Sequence, residues 1–190
     1  LILPSTLESA RSWIRLALTA GGTAIDATVG NGHDTLFLAQ LAGPAGRVFG
    51  FDIQAEAIEA TRRRLRDAGQ EQQVQLFRCS HHQMDKMLPE EIKGKVDAAM
   101  FNLGYLPHGN PAIITQPETT LHALQICTEW LAPGGLITLA LYTGHPGGQE
   151  EADAVVHWAS ALCSRRFQVM WQQILNRRHA PSLLVIEKRS

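Results

Sequence analysis

Apolar residues along this chain follow two rhythms that take turns. Behind Ser5, residues Leu7, Ala10, Ile14, Ala17 and Leu18 fall on one face of a helix. Ser5 and Glu8 have the spacing of a capping box, and Gly21-Gly22 ends the helix. Short β-prone runs follow at about 23–28, 47–52, 74–79, 96–102 and 136–142. Between them lie helical stretches at about 34–42, 55–68 and 119–131, a short one near 84–88, and another at 150–162 after the fifth run. Gly43-Pro44-Ala45-Gly46 breaks the chain before the second run, and Ala132-Pro133-Gly134-Gly135 reads as a helix stop before the fifth. Two last β-rich runs, 167–175 and 182–187, are joined by Asn176-Arg177-Arg178-His179-Ala180-Pro181. Strands alternating with helices predict an α/β fold with a mostly parallel, Rossmann-like sheet wound on both faces. The last two runs are too close together for a parallel crossover, so they predict a C-terminal antiparallel hairpin and seven strands in all.

A chain of 190 residues without internal repeats suits one domain, 1–190. Hydrophobic residues at 45% against 18% charged exclude a disordered chain. A net charge of −1 argues against broad non-specific binding of nucleic acid, which needs many phosphate contacts, but leaves room for a local basic patch. The three cysteines form no C-x-x-C pair, so neither a disulfide framework nor a zinc ribbon is expected. The longest clean apolar run, 136–142, is too short for a bilayer, and no signal peptide is read. A reduced, cytoplasmic setting is the expectation, and Leu1 is not expected to be the native start.

Candidate chemistry begins at Asp26-Ala27-Thr28-Val29-Gly30-Asn31-Gly32-His33-Asp34-Thr35. A β-prone run, a glycine loop and a helix follow one another there, the order of a nucleotide-type site. Gly30 and Gly32 let a ligand lie against the backbone, and the helix start offers unpaired N–H groups. Asp52 follows Gly30 by 22 residues, at the end of the second strand, where a carboxylate can accept both hydroxyls of a ribose. A dinucleotide loop would have glycine where Thr35 stands, and a phosphate loop would need a lysine. S-adenosyl-L-methionine has the ribose diol without phosphates and carries a zwitterionic tail. Asp26 is expected to meet that tail's ammonium directly or through water, with Asn31, His33 and backbone amides on its carboxylate.

Asn102-Leu103-Gly104-Tyr105-Leu106-Pro107 closes the fourth strand on the same edge. The Asn102 carbonyl, with a neighbouring backbone carbonyl, can hold an amine and aim its lone pair, and Tyr105 offers a face for a base. The Pro- and Gly-rich stretch 104–117 is read as a functional loop. His145, in Thr143-Gly144-His145-Pro146-Gly147-Gly148, is a candidate substrate contact or proton acceptor, or else an ordinary loop histidine. Ser80 and His81 are placed beside the adenine. His81-His82 near Cys79 has no second cluster at ligand spacing, so no metal is expected. Arg62, Arg63, Arg64 and Arg66 read as a solvated helix face, whereas Arg177-Arg178-His179 is a compact basic loop suited to phosphate.

Taken together, the glycine loop, the strand-two acid, the Asn102 motif, the Leu-Ala-Pro-Gly-Gly stop and the terminal hairpin resemble the class I S-adenosylmethionine-dependent methyltransferases. Asp26 through Thr35, Phe101 through Pro107 and Tyr142 through Gly148 look like one bacterial family within that class, labelled rRNA methylase and associated with tRNA (5-aminomethyl-2-thiouridine) methyltransferase activity. The resemblance runs from Leu3 to Lys188. It implies methylation of the amine of 5-aminomethyl-(2-thio)uridine at the tRNA wobble position, with the anticodon arm as partner. It implies a cofactor wall of Asp26, Gly30, Asn31, Gly32, Asp52, Gln54, Ser80 and His81, to which Thr28, Asp34, Thr35 and Ile53 of the same segments are added. Asn102 and Tyr105 would face the substrate. Thr28 stands where the wider class usually has a first glycine, and the Asn102 motif lacks the Pro-Pro-Tyr form of other amino methyltransferases; the narrower family shares both departures. Methylation of rRNA or a small amine, a non-catalytic cofactor- or RNA-binding module, and an NAD-type oxidoreductase are the competing readings. A homodimer is a further expectation, since so small a domain would gain from a second copy in holding an anticodon arm.

Overall fold

The structure, a computed structural model, describes residues 2–104 and 114–190. Six α-helices, two short 3-10 turns and seven strands are assigned among them. Helix α1 (Thr6–Ala17) leads into β1 (Thr23–Asp26), α2 (His33–Ala42), β2 (Arg47–Asp52), α3 (Ala55–Asp67) and β3 (Val74–Arg78). Then come α4 (Met84–Met87), β4 (Val96–Leu103), α5 (Pro117–Trp130), β5 (Leu131–Leu141), α6 (Gly148–Ser160), β6 (Phe167–Gln172) and β7 (Ser182–Lys188). The strands form one sheet in the order β3-β2-β1-β4-β5-β7-β6. The first five are parallel, and β7 pairs antiparallel with both β5 and β6. This is the mostly parallel α/β sheet with an antiparallel C-terminal hairpin that the hydrophobic pattern predicts.

Successive side chains of a strand point to opposite faces, and the core is divided accordingly. Ile25, Phe49, Ala99, Phe101, Ile137, Leu139, Leu184 and Ile186 pack on one face with Leu124, Cys127 and Trp130 of α5 and Val155 of α6. Ala24, Val48, Ala98, Met100, Leu136, Leu183 and Val185 pack on the other with Ile14 and Leu18 and with Leu38 and Ala39 of α2. Strands covered on both faces have to be apolar nearly throughout, as β4 and the second half of β5 are. The chain runs outward from β1 to β3 and returns at β4, so a crevice opens between the carboxyl ends of β1 and β4. That reversal is where open α/β sheets take their ligands.

The boundaries differ from the sequence reading in places that have physical causes. Helix α5 ends at Trp130, and Leu131 already pairs with Val96. The next pair is Ala98 with Leu136, so residues 132–135 bulge out of the ladder, with Gly134 at φ 81°. Ala132-Pro133-Gly134-Gly135 is therefore a bulge within β5, not the helix stop expected from its composition. The Leu131 carbonyl is held by Lys188 Nζ at 2.8 Å. Helix α6 begins two residues early, at Gly148, behind the left-handed Gly147, and β6 ends at Gln172, before the loop residues 173–175.

The capping box forms as expected. Glu8 N donates to Ser5 Oγ at 3.2 Å, and Ser5 N donates to Glu8 Oε2 at 2.7 Å. Ser5→Ala should therefore lower stability by ~1 kcal/mol, read as an earlier urea midpoint. An unchanged midpoint would show that the first turn of α1 contributes nothing to the fold.

Candidate active site

At the crevice the loops after β1, β2, β3, β4 and β5 surround a cavity of about 990 Å³. Its floor is the glycine loop, which is fastened to β2. Gly30 N donates to Asp52 Oδ2 and Gln54 N donates to Asp52 Oδ1, both at 2.9 Å, while Val29 N donates to Phe51 O at 3.0 Å. Each Asp52 oxygen thus holds one backbone amide. A carboxylate offers about four acceptor positions, so it retains capacity for two ligand hydroxyls. Burial raises the Asp52 carboxyl above its ordinary value, and the amide bonds oppose that rise. Beside it Ile53 is half exposed on the cavity wall, an apolar surface left for a ring to cover.

His81 lines the same wall. Its Nδ1 lies 3.1 Å from the Ala27 carbonyl, which only accepts, so Nδ1 carries the proton. Its Nε2 is buried and has no partner among the described residues. Burial pushes the imidazole down to about 4, which leaves Nε2 a neutral acceptor at physiological pH. A donor supplied by a ligand would satisfy it. A diol acceptor, an exposed apolar surface and an orphaned ring nitrogen together suit an adenosine moiety.

On the other side of the cavity, three side chains from distant elements meet. Asp34, 6% exposed in the first turn of α2, accepts at Oδ1 from Arg11 Nε at 2.9 Å and from the other Arg11 donor at 2.7 Å. Its Oδ2 accepts from Asn102 Nδ2 at 2.6 Å. An ionised carboxylate only accepts, so Asn102 must present its NH₂ to Asp34 and keep its carbonyl oxygen for another partner. The Asn102 backbone N–H is held by Thr28 Oγ1 at 2.7 Å. Asn102 lies on the cavity wall with both Thr28 and Asp34.

Further along the wall, Thr115 and Gly104 exchange two bonds. Thr115 N donates to Gly104 O at 2.9 Å, and Gly104 N donates to Thr115 Oγ1 at 3.0 Å. The Thr115 hydroxyl donates in turn to Glu151 Oε2 at 2.6 Å, and Thr120 donates to Glu151 Oε1 at 2.7 Å. Glu151 is 2% exposed, so these hydroxyls are what accommodate its buried carboxylate. His145 lines the cavity, with Nδ1 3.0 Å from Pro146 O. A Cβ on Gly148 would stand 2.8 Å from His145 Nε2, so glycine there gives the imidazole its room.

Of the residues singled out by sequence, Thr28, Gly30, Asn31, His33, Asp34, Asp52, Ile53, Gln54, Ser80, His81, Asn102, His145 and His179 line this one cavity. Asp26, Gly32 and Thr35 do not. Asp26 is fully buried beneath the loop, where Oδ2 accepts from Thr35 Oγ1 at 2.6 Å and Oδ1 from Thr28 N at 3.2 Å. Asp26 is expected from the sequence to meet a ligand ammonium directly or through water; its side chain is sealed off from direct contact and supports the loop from below. Gly32, at φ 77°, packs on α3, and a Cβ there would lie 2.5 Å from Thr61 Oγ1. Tyr105 lies outside the described residues, as does most of the 104–117 stretch. Arg11, Thr115 and Glu151 escaped the sequence reading. Their partners lie 23 and 36 positions away, and no local spacing marks them. Among the described residues no group of His, Cys, Asp or Glu could hold a metal ion, and no helix is long and apolar enough to cross a membrane.

The strand order, the acid closing β2 and the ligand crevice at the sheet reversal are those of the Rossmann-like S-adenosylmethionine-dependent methyltransferases. The profile of the family described as "Putative rRNA methylase" matches residues 48–188, and the chain belongs to that family. A crystal structure of a putative rRNA-methylase from Clostridium thermocellum is 41% identical and superposes with a TM-score of 0.94 over 99% of this chain and 100% of that one. A putative methyltransferase from Streptococcus mutans, solved in complex with SAH, is 37% identical with a TM-score of 0.88 over 98% and 99% of the two chains. A chloroplastic tRNA (mnm(5)s(2)U34)-methyltransferase of Arabidopsis thaliana is 43% identical over 177 residues, 89% of this chain but 64% of the plant protein. The chain thus spans less than two thirds of that relative's length.

Burial raises the Asp26 carboxyl from its ordinary 3.8 to about 7, and the Asp34 charge adds to the rise. Between those pH values the folded chain keeps a proton that the unfolded chain has lost, so this contribution to stability is full below the lower value and is lost as pH rises through the upper. Asp26→Asn removes the titration. Its stability relative to the unaltered chain should climb by ~1.4 kcal/mol per pH unit between about pH 4 and about pH 7. Urea midpoints measured over a pH series check this, and a flat difference would mean that Asp26 is ionised throughout.

Proposed function

We propose that the chain is an S-adenosylmethionine-dependent N-methyltransferase acting on RNA, and that its target is the amine of 5-aminomethyl-(2-thio)uridine at the tRNA wobble position. The observation that carries the reading is the locked Asn102 amide. With its NH₂ committed to Asp34, its carbonyl can accept an amine N–H and turn the amine lone pair toward the cofactor side of the cavity. Asp52 would hold the ribose hydroxyls, Ile53 and His81 the adenine, and the Gly30 and Asn31 backbone the methionine tail. Bound there, the cofactor supplies an electrophilic methyl group. The site's contribution is chiefly orientation and exclusion of water, which can account for much of the rate of a two-substrate transfer. An alkyl ammonium must shed a proton to become a nucleophile, and His145, on the same wall, is the candidate acceptor beside water. Support for RNA comes from the family and from the tRNA activity named for the Arabidopsis relative.

Methyl transfer from labelled S-adenosylmethionine to total tRNA from cells lacking this enzyme, followed by nucleoside mass spectrometry, tests the reading. The expected result is one methyl gained on 5-aminomethyl-2-thiouridine. No transfer with cofactor binding intact would overturn the tRNA assignment and point to rRNA or a small amine.

Asn102→Ala should cut turnover ~10²-fold or more while the cofactor dissociation constant stays within about twofold. Asp52→Ala should instead weaken cofactor binding by ~10–100-fold, the loss expected for hydrogen bonds to a charged acceptor, read by calorimetry. Undiminished turnover in the first variant removes the positioning role, and unchanged affinity in the second removes the ribose role.

A further inference from the structure

The loop between β6 and β7 is not used by the reaction as derived so far. Both β5 and β6 run antiparallel to β7, so β6 ends on the same edge of the sheet as β5, the edge that carries the cavity. The loop is fastened at both ends. Gln172 Nε2 donates to Ser9 Oγ at 3.2 Å, Thr6 Oγ1 donates to Pro181 O at 3.0 Å, and Trp171 Nε1 donates to Ser182 Oγ at 3.0 Å. His179, in the left-handed region at φ 55°, lines the cavity itself. It is the one non-glycine residue with positive φ among those described. The two residues before it, Arg177 and Arg178, are exposed.

What sets those two arginines apart is their place, next to His179 on the loop that reaches the cavity. Arg11, Arg47, Arg62, Arg64, Arg66 and Arg189 each hold a carboxylate, a carbonyl or an amide oxygen, whereas Arg15, Arg63, Arg78, Arg165 and Arg166 hold none among the described residues. The side chains of Arg177 and Arg178 make no hydrogen bond or ion pair with any described residue. Two adjacent guanidinium groups without counter-charges, on a tethered loop at the rim of a substrate cavity, fit an anion brought in from outside. Guanidinium meets phosphate with paired donors, which lysine does not offer. With a net charge of −1 the chain cannot rely on a diffuse positive field, so whatever holds a polyanion must be local.

We infer that the β6–β7 loop is the RNA grip, in which Arg177 and Arg178 contact phosphates of the nucleotides flanking the target base while His179 borders the opening through which that base enters. The inference rests on the reading that the substrate is RNA. It goes beyond that reading by naming the element that holds the backbone.

The test measures binding of a synthetic anticodon stem-loop RNA to the full chain, saturated with S-adenosylhomocysteine, by anisotropy over a salt series. The R177A/R178A double variant should bind roughly tenfold or more weakly, with a log K against log salt slope shallower by ~1.4 for two lost single-strand contacts. Affinity for S-adenosylhomocysteine and turnover on the free 5-aminomethyluridine nucleoside should not change. The R177K/R178K variant should recover the slope, with only part of the affinity. Wild-type affinity and slope in the alanine variant would overturn the grip and leave the RNA reading standing. Weaker binding with an unchanged slope would also overturn it, because the arginines would then not be displacing counterions. If the unaltered chain binds neither this RNA nor an rRNA fragment, the RNA reading itself fails and the grip fails with it.

Discussion

The Asp34 carboxylate joins three pieces of chain that the sequence keeps far apart. Arg11 comes from α1, Asp34 from the first turn of α2, and Asn102 from the end of β4, 68 positions after Asp34. Without Arg11 the carboxylate would be a nearly buried charge without a counter-charge, which is strongly unfavourable. Without Asp34 the Asn102 amide would be able to turn over and present a donor where an acceptor is needed. The ion pair is therefore as much a device for orientation as for stability, and α1 is a wall of the site as well as a cover for the sheet.

Two other carboxylates surround the same loop and are handled differently. Asp52 remains on the cavity wall and is steadied by two backbone amides. Asp26 is sealed beneath the loop, where burial and the neighbouring Asp34 push its pKa upward while Thr35 and Thr28 push it back down. Only Asp34 has a guanidinium on it. That leaves the Asp52 charge facing a cavity that, on the proposed function, receives a sulfonium and an ammonium group. Such a field favours a cationic ligand over a phosphorylated one, in keeping with the missing lysine in the loop.

Most of the architecture can be read from periodicity, because strands buried on both faces must be apolar and the intervening helices must be amphipathic. Asp52 was legible as well, since the acid that ends the second strand stands at a set distance from the glycine loop. The start of β5 was not. Pro133, Gly134 and Gly135 look locally like a helix terminator, and only the pairing of Leu131 with Val96 shows that the ladder has already begun. The burial of Asp26 was equally hidden, because whether a strand-end carboxylate faces a ligand or a threonine depends on how α2 settles on the loop. Thr115 and Glu151 illustrate the same limit: a bond across 36 positions leaves no mark in either neighbourhood.

The order of the last three strands has a consequence for how the molecule comes together. β6 precedes β7 in the chain, yet β7 lies between it and the rest of the sheet. While the chain is being synthesised, β6 emerges with no neighbour to pair with, and it gains one only after β7 has docked on β5. The edge of the sheet and the loop that rises from it are therefore assembled last, through contacts that span much of the chain, and a break anywhere in residues 182–188 would detach two strands, not one.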